Sequence, residues 1–379
     1  MTLHIGLDGS RIAKAQYTGT EHYSFEIFTH LFRVAPHHHY TIYAPRMSTK
    51  QLATGSADVT WKIIPFPRLW TQIRLSLELV GGSTPDVLFI PSHTLPLIHP
   101  IPTVATVHDL GFKHFPRYYG RVERLYQEFG LWRATAGATR LIAISEATKK
   151  DVLRFTHYPA RQIDVVHHGV DLERFHAAAP NEHPGPEQRS HLPYLYGVGR
   201  IEAKKNTPRL LRAFRILKEK HKIPHQLILA GKPGQHGYDE VEAVLSELPD
   251  ETRRSIHLIG YVDDDANARW LRFADALVFP SGFEGFGMPA LEAMASGTPV
   301  VASNTSSLPE IIGDTGILVN HTRAEAIAEG VLKLIRKPTT RKRLVAAGLE
   351  RARMFTWERA ARQTIAVLER AAAKDNHAE

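Results

Sequence analysis

Short apolar runs alternate with longer amphipathic segments along the whole chain. In the first half, apolar and β-branched runs predict strands over residues 3–8, 40–43, 61–64, 87–90, 102–107, 140–143 and 164–166. Apolar residues at helical spacing fill the gaps, for example over residues 23–32 and 147–155. Such alternation is typical of βαβ units and parallel sheets, so the pattern predicts the α/β class.

A proline-rich polar stretch, residues 177–190, separates this series from a second one and is predicted to link domains covering residues 1–176 and 191–356. The second series predicts a helix over residues 208–220 and strands over 194–198, 226–230, 256–259, 276–279, 299–302 and 316–319. The last segment, residues 357–379, begins with a predicted helix over residues 357–371. We expect two doubly wound, Rossmann-like domains that face each other across a cleft.

The composition limits the class of protein. The 379 residues include 43% hydrophobic and 23% charged residues, as in an ordinary globular protein, and no cysteine. The lack of cysteine excludes disulfides, thiolate metal ligands and cysteine nucleophiles. Residues 1–9 do not resemble a secretory signal, and no apolar run has the length of a membrane span. We therefore expect a cytoplasmic protein.

The net charge of +8 is spread evenly along the chain. Residues 1–190 carry 20 basic and 16 acidic side chains, and residues 191–379 carry 27 and 23. A diffuse excess suits an anionic substrate or a phospholipid surface as well as nucleic acid. The sequence contains no recognisable nucleic-acid-binding module, so we expect no nucleic acid partner, and a basic nucleic-acid-binding protein is kept as an alternative.

The most informative stretch is ADALVFPSGFEGFGMPALEAMASGTPVVAS, residues 274–303. A predicted strand enters a loop with Gly282, Gly285 and Gly287, Pro289 suits the start of a helix, and Gly297 suits its end. Strand, loop and helix N-terminus together direct backbone N–H groups and the positive end of the helix dipole at one point. This arrangement predicts an anion site.

Charged residues flank the predicted anion site. Glu284 lies in the loop and Glu292 one turn into the helix, and carboxylates bind hydroxyls rather than phosphates. The stretch YLYGVGRIEAKKN places Arg200 and Lys205 directly after a strand, where they can bind phosphate oxygens, whereas Lys204 is expected to be solvated. Each of these residues alone could be an ordinary surface residue. Their combination favours a ligand with both phosphates and hydroxyls.

Together these residues resemble the group 1 (family 4) retaining glycosyltransferases, whose GT-B architecture has two Rossmann-like domains. The family pattern of two glutamates separated by seven residues is present as Glu284-GFGMPAL-Glu292. Further similar stretches are GRIEAKKN, LILAGKPG, HLIGYVDDD, VHHGVDLERF, AISEATKKD and TVHDL, so the resemblance extends over nearly the whole chain. The closing stretch FTWERAARQTIAVLERA resembles the family's terminal helix, which crosses back to the first domain.

The resemblance implies a nucleotide-sugar site. Arg200 and Lys205 would hold the diphosphate, and Glu292 would bind the ribose hydroxyls. The base would be framed by the backbone of Gly260, Tyr261 and Val262.

The resemblance also implies contacts to the donor sugar. Glu284 would bind its hydroxyls, and His108 would reach it from the first domain, with Asp109 as a weaker candidate. A hydrogen-bonded histidine at a strand end is the alternative interpretation of His108. The residues implied near the sugar and phosphate are Gly285, Phe286, Gly287 and Met288.

The implied reaction needs no metal, because cations and helix N–H groups can stabilise a departing diphosphate. Asp263, Asp264 and Asp265 are interpreted as helix-capping acids, and no metal site is predicted. No convincing nucleophile for a double displacement is present, so retention by same-face attack rests on the resemblance. We expect no cofactor besides the donor substrate. The stretches TVHDLGF and VHHGVD and the KKN turn resemble those of mannosyltransferases, and this resemblance favours GDP-mannose.

One departure from the family concerns the turn after the first strand. The family usually carries Gly-x-Gly there, whereas residues 17–22 read YTGTEH. Gly19 is retained as a donor-binding candidate, and Glu21 takes the place of the second glycine. This change puts close ligand approach in doubt and indicates a different acceptor geometry.

Two stretches suggest peripheral contact of the protein with a membrane. Residues 117–133 mix arginine with Tyr, Leu, Phe and Trp at helical spacing, a composition that suits an anionic bilayer surface. The second stretch combines Arg68 and Arg74 with apolar residues, namely Trp70, Ile73, Leu75 and Leu77. Core packing with solvated arginines explains both stretches equally well.

The adjacent histidines His37, His38 and His39 could bind a metal, but neighbouring imidazoles rarely converge on one ion, and a solvated loop is favoured.

The sequence thus predicts a metal-independent, retaining hexosyltransferase that moves mannose or another hexose from a nucleotide-diphosphate sugar to a glycan or lipid-linked glycan. A sugar-nucleotide epimerase or a phosphorylase on the same scaffold is the alternative among enzymes. The alternative from another class is the basic nucleic-acid-binding protein.

Overall fold

In the computed structural model, parallel strands alternate with helices, and the structure describes residues 2–14, 17, 19–82, 84–191 and 193–375. The strands in this part of the chain are β1 (His4–Asp8), β2 (His39–Ala44), β3 (Asp58–Ile63), β4 (Val87–Ile90), β5 (Thr103–Val107), β6 (Arg140–Ala143), β7 (Ile163–Val165), β8 (Tyr194–Val198), β9 (Gln226–Ala230), β10 (Ile256–Gly260), β11 (Ala276–Phe279), β12 (Val300–Ser303) and β13 (Ile317–Val319).

Helices occupy most of the connections between these strands. They are α1 (Gly19–Val34), α2 (Ser76–Gly81), α3 (Gly111–His114), α4 (Arg121–Gly137), α5 (Glu146–Phe155), α6 (Pro186–Arg189), α7 (Thr207–Glu219), α8 (Tyr238–Glu247), α9 (Asp250–Arg254), α10 (Asp264–Phe273), α11 (Met288–Ala295), α12 (Leu308–Ile312), α13 (Ala324–Arg336), α14 (Pro338–Ala352) and α15 (Trp357–Asp375). Short 3-10 turns lie at Pro116–Tyr118, Ala160–Gln162 and Ala203–Lys205, and a π-helical turn lies at Trp70–Leu75.

Every predicted strand is present, and the α/β class is confirmed. Fully buried parallel strands such as β4 and β11 were predicted to the residue, because burial on both faces leaves a continuous apolar run. The edge strand β3 begins three residues earlier than the prediction of residues 61–64. Its first residues, Asp58, Val59 and Thr60, alternate between exposed and half-buried positions, so the apolar run covers only its second half.

The chain forms two compact units, each with a parallel sheet. The first unit comprises Met1–Leu110, Arg121–Gly169 and Thr356–Glu379. Its seven strands have the order β3-β2-β1-β4-β5-β6-β7, which is a doubly wound, Rossmann-like arrangement. The helices α1 and α15 pack together over this sheet through buried apolar residues, namely Tyr23, Ile27, Phe28, Leu31, Trp357, Ala361 and Leu368.

The second unit comprises Gly111–Gly120 and Val170–Phe355. Its six parallel strands have the order β10-β9-β8-β11-β12-β13, a second Rossmann-like arrangement. The helices α7 and α13 pack against it with apolar faces that include Leu211, Phe214, Ile327 and Val331.

The division into units differs from the predicted domain limits at residues 111–120, at residues 170–190 and at Thr356. Residues 177–190, predicted as a linker, lie within the second unit, where Glu182 pairs with Arg272 of α10. Residues 111–120 also belong to the second unit, although the chain before and after them builds the first. Both assignments depend on contacts with distant segments, which local composition does not reveal.

The predicted solvated loop at His37, His38 and His39 is wrong for His38, which is buried. The Leu3 N–H donates to His38 Nδ1 over 3.1 Å, so the ring proton is on Nε2, which lies 3.6 Å from the Glu369 carboxylate. Ligand atoms of His37, His38 and Glu369 lie within 4.8 Å of one another. The contact between His38 Nε2 and Glu369 is longer than a hydrogen bond, so it is an electrostatic contact.

Within the described residues, no helix combines the length and the apolar character required to cross a membrane.

Candidate functional site

Three glycines bring the carboxyl ends of β8, β9 and β10 close together in the second unit. The Gly199 N–H donates to the Ala230 carbonyl over 2.9 Å, and the Gly231 N–H donates to the Gly260 carbonyl over 2.6 Å. At Gly231, where φ is 147°, a Cβ would lie 1.7 Å from the Gly199 carbonyl oxygen. Only glycine fits there, because the ends of β8 and β9 approach each other too closely for a side chain.

The turn after β8 carries the two predicted cations. Arg200 is exposed, and Lys205 ends the 3-10 turn Ala203–Lys205. The next residue, Asn206, adopts a left-handed φ of 63°, and its Nδ2 donates to the carbonyls of Pro280 and His321, both over 2.8 Å. Asn206 thereby fixes the lysine turn to the glycine-rich loop after β11.

Lys205 and Glu284 form the central contact of the site. Nζ of Lys205 lies 2.7 Å from Oε1 and 2.9 Å from Oε2 of Glu284. The Glu284 side chain is 11% exposed and the Lys205 side chain 27% exposed, so the pair is shielded yet reachable. An ammonium group has three N–H donors, so Lys205 can hold Glu284 and still bind a second anion.

Two serines hold the loop that carries Glu284. The Glu284 N–H donates to Ser306 Oγ over 2.9 Å. Ser307 Oγ lies 2.9 Å from the Glu284 carbonyl and 2.7 Å from the carbonyl of the buried Phe286, and it can donate its proton to either. The backbone around the predicted loop residues Gly285 and Phe286 is therefore held by hydrogen bonds to the segment that follows β12.

The helix that follows the loop begins as predicted. Gly287 is the N-cap with φ of 106°, Met288 is the first helical residue, and Pro289 lies in the first turn. Gly297 follows the helix with φ of 72°, and its N–H donates to the Met294 carbonyl over 3.2 Å. The first turn of α11 contains no acidic side chain, so the positive end of its dipole is available to an anion.

Glu292 is held by a polar chain through the second unit. Asn267 Nδ2 donates to Glu292 Oε2 over 2.9 Å, and the hydroxyl of buried Tyr196 donates to Asn267 Oδ1 over 3.0 Å. Burial raises the pKa of Glu292 to about 7, with a further increase from the negative charge of Asp264, while the Asn267 hydrogen bond opposes this rise. Glu292 is therefore a carboxyl group that changes charge near neutral pH.

The acidic run after β10 serves the fold. Asp263 caps α10 by accepting the Ala266 N–H over 2.8 Å, as predicted. Asp264 and Asp265 instead pair with Arg174, whose Nη1 lies 3.8 Å from Asp264 Oδ2 and whose Nε lies 2.8 Å from Asp265 Oδ1.

The residues predicted to frame a base lie at the end of β10. Gly260 has a φ of 75°, Tyr261 is 66% exposed, and Val262 is half-buried. Nζ of Lys232 lies 5.5 Å from the centre of the Tyr261 ring, within the range of a cation–π contact.

The expectation that Lys204 is solvated is wrong. Lys204 is half-buried, donates a hydrogen bond to the Tyr119 hydroxyl and lies 4.7 Å from the centre of the Tyr119 ring. In the same segment, the ring of His114 stacks on Phe283 of the glycine-rich loop, with centroids 4.4 Å apart. Residues 111–120 thus contact two parts of the candidate site within the second unit.

His108 lies in the first unit, directly after β5. Its Nε2 donates to the Pro91 carbonyl over 2.9 Å, which leaves Nδ1 as a hydrogen-bond acceptor. Burial lowers the pKa of His108 to about 4, so the ring is neutral at physiological pH. Nδ1 of His108 can accept a hydrogen bond from a hydroxyl group, but the ring cannot supply positive charge.

The turn after β1 is occupied by its own side chains. Glu21 is buried in the first turn of α1, and its Oε1 lies 2.6 Å from Lys14 Nζ and 3.5 Å from Arg11 Nη1. A Cβ at Gly19 would contact nothing within 4 Å, so packing within the chain does not require glycine there. Thr18 of the same turn lies outside the described residues.

A cavity of about 610 Å³ lies beside this turn in the first unit. Its lining combines the polar side chains of Ser10, Lys14 and Arg46 with Phe66. Arg46 Nε donates to the Ala13 carbonyl over 2.8 Å. The cavity offers cationic and apolar surface to one ligand.

Two family models match the chain. "Glycosyl transferases group 1" covers residues 180–351, and "Glycosyltransferase Family 4" covers residues 17–174. The O-antigen chain mannosyltransferase B of Escherichia coli is 31% identical over 267 residues, which are 69% of this chain and 68% of that protein. Seven other curated relatives, 29–33% identical, are matched over 59–67% of their own length.

Solved structures share the fold of the whole chain. The sucrose-phosphate synthase of Thermosynechococcus elongatus matches with a TM-score of 0.75 and 20% identity, covering 98% of this chain and 99% of that one. Anabaena HepE, solved in complex with UDP and glucose, matches with a TM-score of 0.74 and 17% identity over 97% of this chain and 100% of that one.

Proposed function

Because the chain belongs to the group 1 glycosyltransferases, we propose that it is a retaining enzyme that transfers mannose from GDP-mannose to a glycan or lipid-linked glycan. The observation that carries this proposal is the Lys205–Glu284 pair, which joins a phosphate-binding cation to a hydroxyl-binding carboxylate beside the N-terminus of α11. A donor with both a diphosphate and a sugar satisfies all three groups at once.

The diphosphate is assigned to three sources of positive charge. Arg200 is exposed and offers a planar pair of N–H donors, Lys205 offers its remaining N–H groups, and Gly287 and Met288 open the helix that points its positive dipole end at the same region. Preorganised charge of this kind stabilises the negative charge that develops on a leaving group.

The nucleoside is assigned to the other side of the site. The Glu292 carboxylate accepts hydrogen bonds from the ribose hydroxyls while Asn267 holds its Oε2. The exposed backbone at Gly260 and the face of Tyr261 are available to the base.

The donor sugar is assigned to Glu284 and the backbone of Gly285 and Phe286. Lys205 fixes both carboxylate oxygens of Glu284, so this acid is oriented before the sugar arrives. Neutral His108 is assigned to the same sugar, with Nδ1 accepting a hydrogen bond from a sugar hydroxyl.

The proposed step breaks the bond between the anomeric carbon and the diphosphate oxygen, and the electron pair leaves with the phosphate. The acceptor hydroxyl oxygen forms the new bond on the same face and gives its proton to the departing phosphate. Glu284 is engaged by Lys205 in the structure, which supports a binding role for this acid over that of a covalent nucleophile.

Metal independence is part of the proposal. Asp263 is a helix cap, and Asp264 and Asp265 face Arg174, so the acidic run has partners of its own. Arg200, Lys205 and the N-terminus of α11 then carry the charge compensation, and activity should persist in EDTA.

Mannose as the transferred sugar is supported by the similarity to the E. coli mannosyltransferase. The acceptor is assigned to the first unit, where the cavity lined by Ser10, Lys14, Arg46 and Phe66 suits a sugar that carries an anionic group.

Calorimetric titration of the purified protein in EDTA tests the donor assignment. GDP, UDP, ADP and their hexose conjugates are compared, and GDP-mannose is expected to bind most tightly, with weaker binding to the Arg200→Ala and Glu292→Ala variants. Preference for another nucleotide sugar would overturn the mannose assignment. Conversion of a nucleotide sugar without any acceptor would favour the epimerase instead.

A further inference from the structure

Exposed apolar side chains are concentrated in one region of the first unit. Of 17 large hydrophobic residues that are exposed in the described part of the chain, 11 lie in three segments. We name these residues the apolar face: Leu69, Ile73, Leu77, Val80, Leu97, Ile98, Val122, Leu125, Tyr126, Phe129 and Trp132. Single exposed hydrophobic residues are normal on a protein surface, whereas a contiguous group indicates a binding surface.

The helix α4 supplies the largest part of the apolar face. Val122 is 81% exposed, Leu125 67% and Trp132 58%, and Phe129 lies between them. Their spacing of three or four residues places them in one stripe along the helix. The opposite side of α4 is buried through Gly130, Leu131 and Ala134, so the stripe is directed away from the core.

The other two segments supply the rest. In the second membrane stretch suggested by the sequence, Trp70 and Leu75 prove to be core residues, because both are buried. Ile73 and Leu77, in contrast, are exposed, and Leu77 is 62% exposed. The loop after β4 adds Leu97 and Ile98, which no sequence pattern had marked.

Hydrogen bonds join the three segments into one surface. Gln72 Nε2 donates to the Tyr126 hydroxyl over 2.9 Å, and the Leu97 N–H donates to the Gln72 carbonyl over 3.0 Å. Arg133 Nη2 donates to the carbonyls of Pro96 and Leu97, both over 2.9 Å. The apolar face is therefore built on a connected framework and is not a set of separate loops.

The charges in these segments favour an anionic partner. Arg68, Arg121 and Arg124 are exposed next to apolar residues of the face, and Glu123 is the exposed acid among them. Glu78 of α2 is bound to Lys62 and Arg74. Exposed arginine beside Trp, Tyr, Phe and Leu is the composition of surfaces that lie in the headgroup region of an anionic bilayer.

We propose that the apolar face docks the first unit onto the surface of a bilayer that contains anionic lipids. Leu125, Phe129 and Trp132 enter the boundary between headgroups and acyl chains, and the arginines contact lipid phosphates. The proposal holds for any donor sugar.

Sedimentation with lipid vesicles tests the proposal on the full-length protein. Vesicles of phosphatidylcholine with about a third phosphatidylglycerol should pull down the protein, pure phosphatidylcholine vesicles should bind less, and raised salt should weaken the binding. Leu125→Ser with Trp132→Ser should lower the partition coefficient at least about tenfold, because two large apolar side chains no longer enter the lipid.

Arg121→Glu with Arg124→Glu should lower binding to the anionic vesicles and leave the weaker binding to pure phosphatidylcholine unchanged. Leu153→Ser is the matched control, because Leu153 is an exposed apolar residue of the first unit outside the apolar face, and it should bind like the wild type. Circular dichroism and turnover of a water-soluble acceptor confirm that each variant is folded.

Three outcomes would overturn the proposal. The wild type could fail to bind anionic vesicles, or the double serine variant could bind as well as the wild type. The wild type could also form a dimer in solution that the serine variant abolishes, with no vesicle binding, which would make the face an interface between copies of this chain. The vesicle and dimer measurements use no donor, so a failure of the proposed function would leave them unchanged. Failure of the proposed function and failure of docking are therefore distinguishable.

Discussion

The turns after β1 and β11 both lead into a helix N-terminus, yet they are used in opposite ways. In the first unit, Glu21 lies in the first turn of α1, buried against Lys14 and Arg11. In the second unit, α11 begins with Gly287 and Met288, has no acid in its first turn, and follows the loop in which Glu284 pairs with Lys205. A helix N-terminus favours an anion, and the first helix carries an acid of the protein itself, whereas the second has none and is proposed to receive the donor.

The largest expected effect comes from the cation at the open helix N-terminus. Lys205→Ala should lower kcat/KM by about 10³-fold, because charge on the leaving group loses a preorganised partner. Initial rates with GDP-mannose and a glycan acceptor measure this loss, and Lys333→Ala at an exposed site of α13 is the matched control. A variant that keeps more than about a tenth of wild-type activity would refute the role of Lys205.

Removal of the acid at the N-terminus of α1 should lower the stability of the protein. Glu21→Gln leaves Lys14 and Arg11 without their anionic partner and removes a buried charge-assisted contact, so the free energy of unfolding should fall by about 1–3 kcal/mol. Urea denaturation measures the change. Glu284→Gln should alter stability less and activity more, and the reverse result would mean that the two turns do not differ in the way described.

A smaller effect should come from the polar chain behind Glu292. Asn267→Ala removes the donor to Glu292 Oε2 and should raise KM for the donor about tenfold, with a smaller change in kcat, because Asn267 acts by positioning Glu292. Asn267→Asp places a second carboxyl beside Glu292, which repels it when ionised, so KM should rise at least as much as in Asn267→Ala. Normal KM in both variants would show that Glu292 does not depend on Asn267.

The smallest effect should appear as a pH dependence. Burial raises the pKa of Glu292 to about 7, so the ionised fraction rises between pH 6 and pH 8, and affinity for the donor should rise up to about tenfold over that range. In the free protein, the stability of the fold depends on pH with the opposite sign. A carboxyl with a raised pKa stabilises the fold when protonated, and this contribution is lost as the pH rises from about 4.5 to about 7. Glu292→Gln should flatten both dependences, and an unchanged slope in that variant would contradict the assignment.

The sequence predicted the features that depend on neighbouring residues. The run of small and apolar residues gave β11 and α11 their bounds, because strand burial, the proline in the first turn and the terminal glycine are all local. For the same reason the loop and the helix start between Glu284 and Glu292 were predicted where the structure has them. These residues were assigned roles by resemblance, and those roles stay predictions until the variants are measured.

The features that were missed join distant segments. Asn206 binds the carbonyl of Pro280 across 74 positions, and Tyr119 accepts a hydrogen bond from Lys204 across 85 positions. The apolar face combines segments around Ile73, Leu97 and Leu125, of which the sequence suggested two as separate patches. No pattern of hydrophobic and polar residues contains such pairings, because they arise only when the chain is folded.

Binding of GDP-mannose to the wild type, to Arg200→Ala with Lys205→Ala, and to Glu21→Gln is the most direct test of the contrast between the two turns. Calorimetry in EDTA should show that the double variant loses about a hundredfold or more in affinity, since two charge-assisted contacts to the diphosphate disappear. Glu21→Gln, studied at a temperature where it is folded, should bind like the wild type. Unchanged affinity in the double variant, or a comparable loss in Glu21→Gln, would contradict the claim that the N-terminus of α11 is the anion site left open for the donor.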